Sequence, residues 1–181
     1  VDDVVAVARA TDASLLCGHS LGGAVVLTLV LERGVDLDLT GLVLTGTGAR
    51  LAVLDDLLRW LRTDFPRAIE FLQGPNRLFH DPEDDLCSVS RAAFEAAGQA
   101  VTYRDFVTAH EFDVRDRLDV IEVPTLAVVG EHDALTPPWY HEALASSMPN
   151  AEWATVPEAA HLAMLERPEA FNETISSTFG A

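Results

Sequence analysis

The stretch Gly18-His19-Ser20-Leu21-Gly22 fits the pattern G-x-S-x-G and joins an apolar run, Leu15-Leu16-Cys17, to an apolar segment that begins at Leu21. No loop residues intervene, so a strand must give way to a helix at a single residue, Ser20. A backbone turned that sharply enters a strained region, and its neighbours two positions before and after must be small. Gly18 and Gly22 meet that demand, and Gly23 is expected to let the helix close further onto the sheet. Chance supplies the five-residue pattern in roughly one chain in twenty of this length, so the flanking segments carry the inference. Leu21 to Arg33 is apolar on every face, as expected of a helix buried in a large core, and Gly34 is its expected stop.

The rest of the chain alternates in the same way. Val4, Val5, Val7 and Ala8 read as the apolar face of a helix over 1–10, and Gly41 to Gly46 as a second buried strand. From Arg50 the pattern turns helical, with Leu51, Leu54, Leu58 and Leu61 at spacings of three and four. Asp64 and Pro66 mark another helix start, and Gly74-Pro75 a break. His80 to Asp85 reads as an acidic loop, followed by helices around Ser90 to Ala97 and Tyr103 to Phe112. Thr102 and Asp105 stand in capping-box spacing before the second of these. Strand and helix then resume: Thr125 to Gly130 is a strand, Thr136-Pro137 opens a helix, Ala151 to Val156 is a strand, and His161 to Glu166 begins helical structure. Pro168 to Phe179 is the terminal helix. The expected architecture is an α/β fold: a mostly parallel sheet with flanking helices and a helical lid insertion. Its parts are a core portion over 1–49, a lid over 50–112 and a second core portion over 113–181.

Composition narrows the partners. The 181 residues are 49% hydrophobic, enough for one domain with a real core, and no window is long and apolar enough for a membrane span. Net charge is −17 and every basic residue is arginine, so the surface repels nucleic acid and anionic membranes. Acidity of this kind serves solubility or adaptation to high salt. Cys17 and Cys87 are too few for a disulfide framework or a zinc site, and Cys17, inside its strand, is expected to be a buried apolar residue. No secretory signal opens the sequence, and the expectation is a cytoplasmic protein.

A serine hydroxyl is a weak nucleophile at neutral pH and needs a base, which in turn needs an orienting group. Gly130-Glu131-His132-Asp133 follows the Thr125 strand, and Val156-Pro157-Glu158-Ala159-Ala160-His161 follows the last strand. Asp133 is therefore the candidate acid and His161 the candidate base. The preceding strand, the other place for the acid, ends in Thr45-Gly46-Thr47-Gly48, with no carboxylate until Asp55, which favours Asp133. Glu131 and His132 are expected to shape the turn. His19 is fixed in the Ser20 turn, and His80, His110 and His141 fall in the lid or on a helix. His110-Glu111 lacks the second histidine of H-E-x-x-H, and Asp81 to Asp85 lacks the glycine of a calcium loop, so neither metal nor cofactor is expected.

These motifs together resemble the α/β-hydrolase fold superfamily, of the esterase, lactonase and haloperoxidase-like kind. The likeness runs through Gly18 to Gly23, Asp113-Val114-Arg115, Leu118, Ile121, Val123 to Leu126, Gly130 to Asp133, Thr136-Pro137 and Ala160 to Phe171. It covers nearly the whole chain apart from the helical insertion.

The resemblance implies a Ser20 nucleophile, a His161 base that later acts as acid, and Asp133 orienting the imidazole. It implies an oxyanion hole at the Leu21 N–H, with a second donor from a loop after an earlier strand. The implied reaction is hydrolysis of a small-molecule carboxylic ester or lactone through an acyl-enzyme. C–C hydrolysis, acyl transfer, perhydrolysis and non-catalytic ligand binding by a homologue are the alternatives. Members of the superfamily carry several strands before the serine turn, so the expectation is that the 181 residues are the C-terminal part of a longer hydrolase. Without those earlier neighbours, the Leu15 strand would be an unpaired apolar sheet edge. Eight of the thirteen aromatics fall in the insertion, to pack it onto the sheet or to line a pocket, and spacing does not say which face inward.

Overall fold

Four apolar runs form one parallel sheet: β1 Leu15–His19, β2 Gly41–Thr45, β3 Thr125–Gly130 and β4 Ala151–Val156, in spatial order β1-β2-β3-β4. The computed structural model describes residues 1–34, 37–81 and 84–180. Cys17 lies opposite Val43, Val43 opposite Leu126, and Leu126 opposite Glu152. β2 and β3 are buried throughout, which is why they read as unbroken apolar runs.

Between β1 and β2 comes α2 Leu21–Arg33, and before them α1 Asp2–Ala10. Between β2 and β3 the chain forms α3 Asp55–Thr63, α4 Phe65–Leu72, α5 Asp84–Ala97 and α6 Gln99–Glu111, then a 3-10 turn over Arg115–Val120. α7 Pro138–Ser147 links β3 to β4, and α8 Ala163–Glu166 and α9 Pro168–Phe179 close the chain. Because strand side chains alternate, Leu42 and Leu44 face one core with Val26, Leu27, Leu29 and Leu144. Val43, Leu126 and Val128 face another with Phe171 of α9.

Among the described residues, β1 has a strand partner on one side only. Leu15 packs beneath Phe179, but Cys17, two residues on, is exposed at the sheet edge and not buried as its strand context suggested. Among the described residues, no helix is long and apolar enough to cross a membrane.

The α3–α6 segment differs from its sequence reading in three places. Leu51 to Leu54 is not helical; α3 starts at Asp55, so its buried face is Leu57 and Leu61, while Leu54 is 60% exposed. Leu51 is buried instead where the segment begins and ends: its N–H donates to Phe112 O, Arg50 bridges to Asp113, and Val114 N–H donates to Ala49 O. α5 begins at Asp84 and not near Ser90; residues 82 and 83 of the expected acidic loop lie outside the described residues. Gly98, at φ 78°, makes a tight turn that starts α6 at Gln99. Thr102 is therefore no cap, and its hydroxyl donates back to Gly98 O at 3.0 Å. Asp64 does cap α4, accepting from Arg67 N–H. The segment has its own core of Leu57, Leu61, Ala68, Leu72, Leu78 and Phe79, against which Leu135 and Leu162 pack from the loops that follow β3 and β4.

Candidate active site

Ser20 occupies φ 53° and ψ −120°, a region that costs a non-glycine residue about 1–3 kcal/mol. Three groups on its neighbours hold it there. Its N–H donates to Thr45 O at 2.9 Å, and its carbonyl accepts from Gly23 N–H and the Thr47 hydroxyl, each at 2.9 Å. The flanking glycines are not equivalent. A Cβ on Gly18 would stand 2.5 Å from Gly22 O, and one on Gly23 would meet the Thr47 side chain. A Cβ on Gly22 would meet nothing within 4 Å, so the expected steric demand there is absent. The crowding is one-sided: the Cβ direction of Gly18 runs into Gly22's carbonyl, whereas that of Gly22 points into open space. Leu21 opens α2, so its N–H belongs to the first turn, whose donors lack intrahelical partners.

At the end of β3, Asp133 folds its carboxylate back over its own turn. Oδ1 accepts from Leu135 N–H at 2.8 Å and Thr136 N–H at 2.9 Å; Oδ2 accepts from the Thr136 hydroxyl at 2.8 Å and from His161 Nδ1 at 2.9 Å. Both Asp133 and His161 are buried. Burial by itself would raise the Asp133 carboxyl, but the His161 imidazole and the hydrogen bonds from His161 and Thr136 hold it below the ordinary carboxylate value. Thr136 is thus not the cap of α7, which starts at Pro138 behind Pro137. Its hydroxyl is taken by Asp133.

The His161 loop is fixed from several sides. Its N–H donates to Arg77 O at 3.1 Å, and its carbonyl accepts from His19 Nε2 at 3.0 Å. Burial, with His161 alongside, pushes the His19 imidazole down to about 4. His19 is therefore neutral at pH 7, with its proton on Nε2. Glu166 Oε2 accepts from Ala160 N–H at 2.7 Å while its Oε1 accepts from His80 N–H at 2.7 Å, tying this loop to the segment after α4. The two loops also meet directly: Glu131 N–H donates to Val156 O, and His132 N–H to Ala159 O. A Cβ on Gly46, at φ 53°, would lie 3.1 Å from His19 Nε2 and 3.2 Å from the His161 ring. Fully buried His141 accepts from Thr47 N–H at 3.1 Å, and burial pushes its imidazole down to about 4.

Ser20, Leu21 and His161 all line a cavity of about 720 Å³, and Asp133, outside that lining, bonds His161. The remaining lining is mainly apolar, from Leu57, Leu78, Tyr140 and three aromatics of the α3–α6 segment: Phe71, Phe94 and Phe106. Phe79, by contrast, is buried in that segment's own core. Sequence reasoning missed Thr136, Glu166 and His141. Only Thr136 had a legible signal, since an aspartate commonly accepts hydrogen bonds from residues two and three positions on.

A parallel sheet with a strained serine at a strand–helix junction and a buried Asp–His pair on later loops defines an α/β hydrolase. The chain belongs to the alpha/beta hydrolase family, whose profile matches residues 1–174. Its relatives are esterase-like. It is 34% identical to the pimeloyl-[acyl-carrier protein] methyl ester esterase of Neisseria meningitidis serogroup A over 188 residues, covering 93% of this chain and 57% of that protein. A thermophilic esterase of known structure is 34% identical with a TM-score of 0.80, over 90% of this chain and 64% of that one. Est816, described as an N-acyl homoserine lactone degrading enzyme, is 26% identical with a TM-score of 0.83, over 97% and 72%. The chain thus spans a little over half the length of the Neisseria relative.

Proposed function

We propose that this protein hydrolyses carboxylic esters or lactones through an acyl-enzyme formed on Ser20. The observation that carries the reading is the buried His161–Asp133 pair at 2.9 Å, whose histidine lines the same cavity as Ser20. In this mechanism Ser20 Oγ attacks the carbonyl carbon while His161 takes its proton. Asp133, kept ionised, stabilises the resulting imidazolium, and the Leu21 N–H donates to the oxyanion. The proton then passes from His161 to the departing alkoxide. Water enters, gives a proton to His161 and attacks the acyl carbon; His161 then returns that proton to Ser20 Oγ as the acyl–oxygen bond breaks and the acid leaves.

Residues 50–112 act as the lid in this reading, with Phe71, Phe94 and Phe106 giving the acyl chain an apolar surface. A cavity of about 720 Å³ admits an aliphatic acyl group larger than acetyl. The names of the relatives, a methyl ester esterase and a lactone-degrading enzyme, agree with that substrate class. The test compares p-nitrophenyl acetate and octanoate and an N-acyl homoserine lactone on the purified protein and on Ser20→Ala. The expected result is faster turnover of the longer acyl substrates and a loss of about a thousandfold or more in Ser20→Ala. Equal rates for the two proteins would remove the claim.

A further inference from the structure

Outside the cavity lining, ligand-bearing side chains from three separate segments converge. They are His80, after α4; His132, beside Asp133 on the loop after β3; and Glu158, on the loop after β4. One nitrogen or oxygen atom of each lies within 4.8 Å of the other two. His80 Nε2 is 3.7 Å from Glu158 Oε2, and the His80 and His132 rings stack with centroids 3.8 Å apart.

The arrangement is oriented. His80 Nδ1 lies 2.6 Å from Asn76 Oδ1, and an amide oxygen only accepts, so the ring proton sits on Nδ1. Nε2, the ring's other nitrogen, lies on the Glu158 side, 3.7 Å from Oε2. A ligating histidine whose other nitrogen is held by an oxygen acceptor is the usual arrangement at metal sites. Glu131 Oε2, 3.9 Å from His132 Nε2, adds a second carboxylate at the rim.

We infer that His80, His132 and Glu158 form a binding site for a transition-metal dication of the zinc class. Two imidazoles and a carboxylate suit Zn²⁺, Co²⁺ or Ni²⁺. Ligands of a tetrahedral zinc ion stand about 3.3 Å apart. The present separations are wider, so binding requires side-chain rotation, which Glu158, 65% exposed, is free to make. The ion joins the Asp133 loop, the His161 loop and the segment after α4 at a point outside the Ser20 cavity, so its role is to hold the loops and not to act on substrate.

The test titrates metal-free protein with Zn²⁺ by calorimetry and with Co²⁺ by visible absorption. Expected are one saturable Zn²⁺ equivalent, the intense absorption of tetrahedral Co²⁺, and a higher melting temperature with Zn²⁺. His80→Ala and His132→Ala should each abolish binding or weaken it at least tenfold. Asn76→Ala should weaken it by about ten- to a hundredfold. Glu158→Gln changes only an exposed side chain, so the site stays testable if a histidine variant misfolds. Absence of saturable binding, or unchanged binding in His80→Ala and Glu158→Gln, overturns the inference. The readout is metal occupancy, so it stands or falls separately from the hydrolase reading.

Discussion

His161 Nδ1 and Asp133 Oδ2 stand 2.9 Å apart in a site where Asp133 already accepts three hydrogen bonds from its own turn. The carboxylate is fixed before the histidine reaches it. The pair therefore holds one imidazole tautomer, with the proton on Nδ1 facing the carboxylate.

Asp133→Asn tests that anchor. An amide facing Nδ1 favours the opposite tautomer and cannot stabilise an imidazolium, while the fold is kept. The expected outcome is a drop in kcat of about 10⁴-fold with little change in KM. Steady-state kinetics on an ester substrate measure it, and a drop below tenfold would mean that Asp133 is not the orienting acid.

Thr136→Val removes the hydroxyl that donates to Asp133 Oδ2 and keeps the shape. A buried carboxylate that loses a donor is expected to cost about 1–3 kcal/mol of stability. Thr136→Ser restores the donor and should recover most of that loss in urea denaturation. Equal midpoints for Val and Ser would assign Thr136 to packing alone.

The motif glycines should part company. Gly18→Ala forces a Cβ against Gly22 backbone atoms, which cannot move aside, so more than about 3 kcal/mol of destabilisation is expected. Gly22→Ala points into open space within a helix and should be neutral or stabilising by up to about 1 kcal/mol. Thermal melting of the two variants compares them, and similar losses would contradict the one-sided crowding.

His141 links stability to pH. Its folded-state value lies near 4 against 6.5 for an ordinary imidazole, so between those values the unfolded chain binds a proton that the folded chain excludes. Stability is expected to fall as pH drops from 6.5 towards 4, by roughly 3 kcal/mol from this residue. His141→Gln keeps an acceptor for Thr47 N–H and cannot titrate. Its stability curve should be flatter across that window, and a curve parallel to the parent's would refute the assignment.

The sequence by itself determined what local chemistry sets. The turn at Ser20, the helix over Leu21–Arg33, the strands Thr125–Gly130 and Ala151–Val156 and the helix Pro168–Phe179 were legible because periodicity, glycine and proline act within a few residues. The positions of Asp133 and His161 after successive strands were legible for the same reason. Only the tertiary structure decided what depends on residues far apart in the chain. It left Cys17 exposed on an edge strand, set Glu166 between Ala160 and His80, and placed His141 against Thr47 N–H. It also brought His80, His132 and Glu158 together from three segments. A hydroxyl or carboxylate binds whichever donor or acceptor the packed fold places within about 3 Å, and sequence spacing does not encode that distance once the partners lie on different strands.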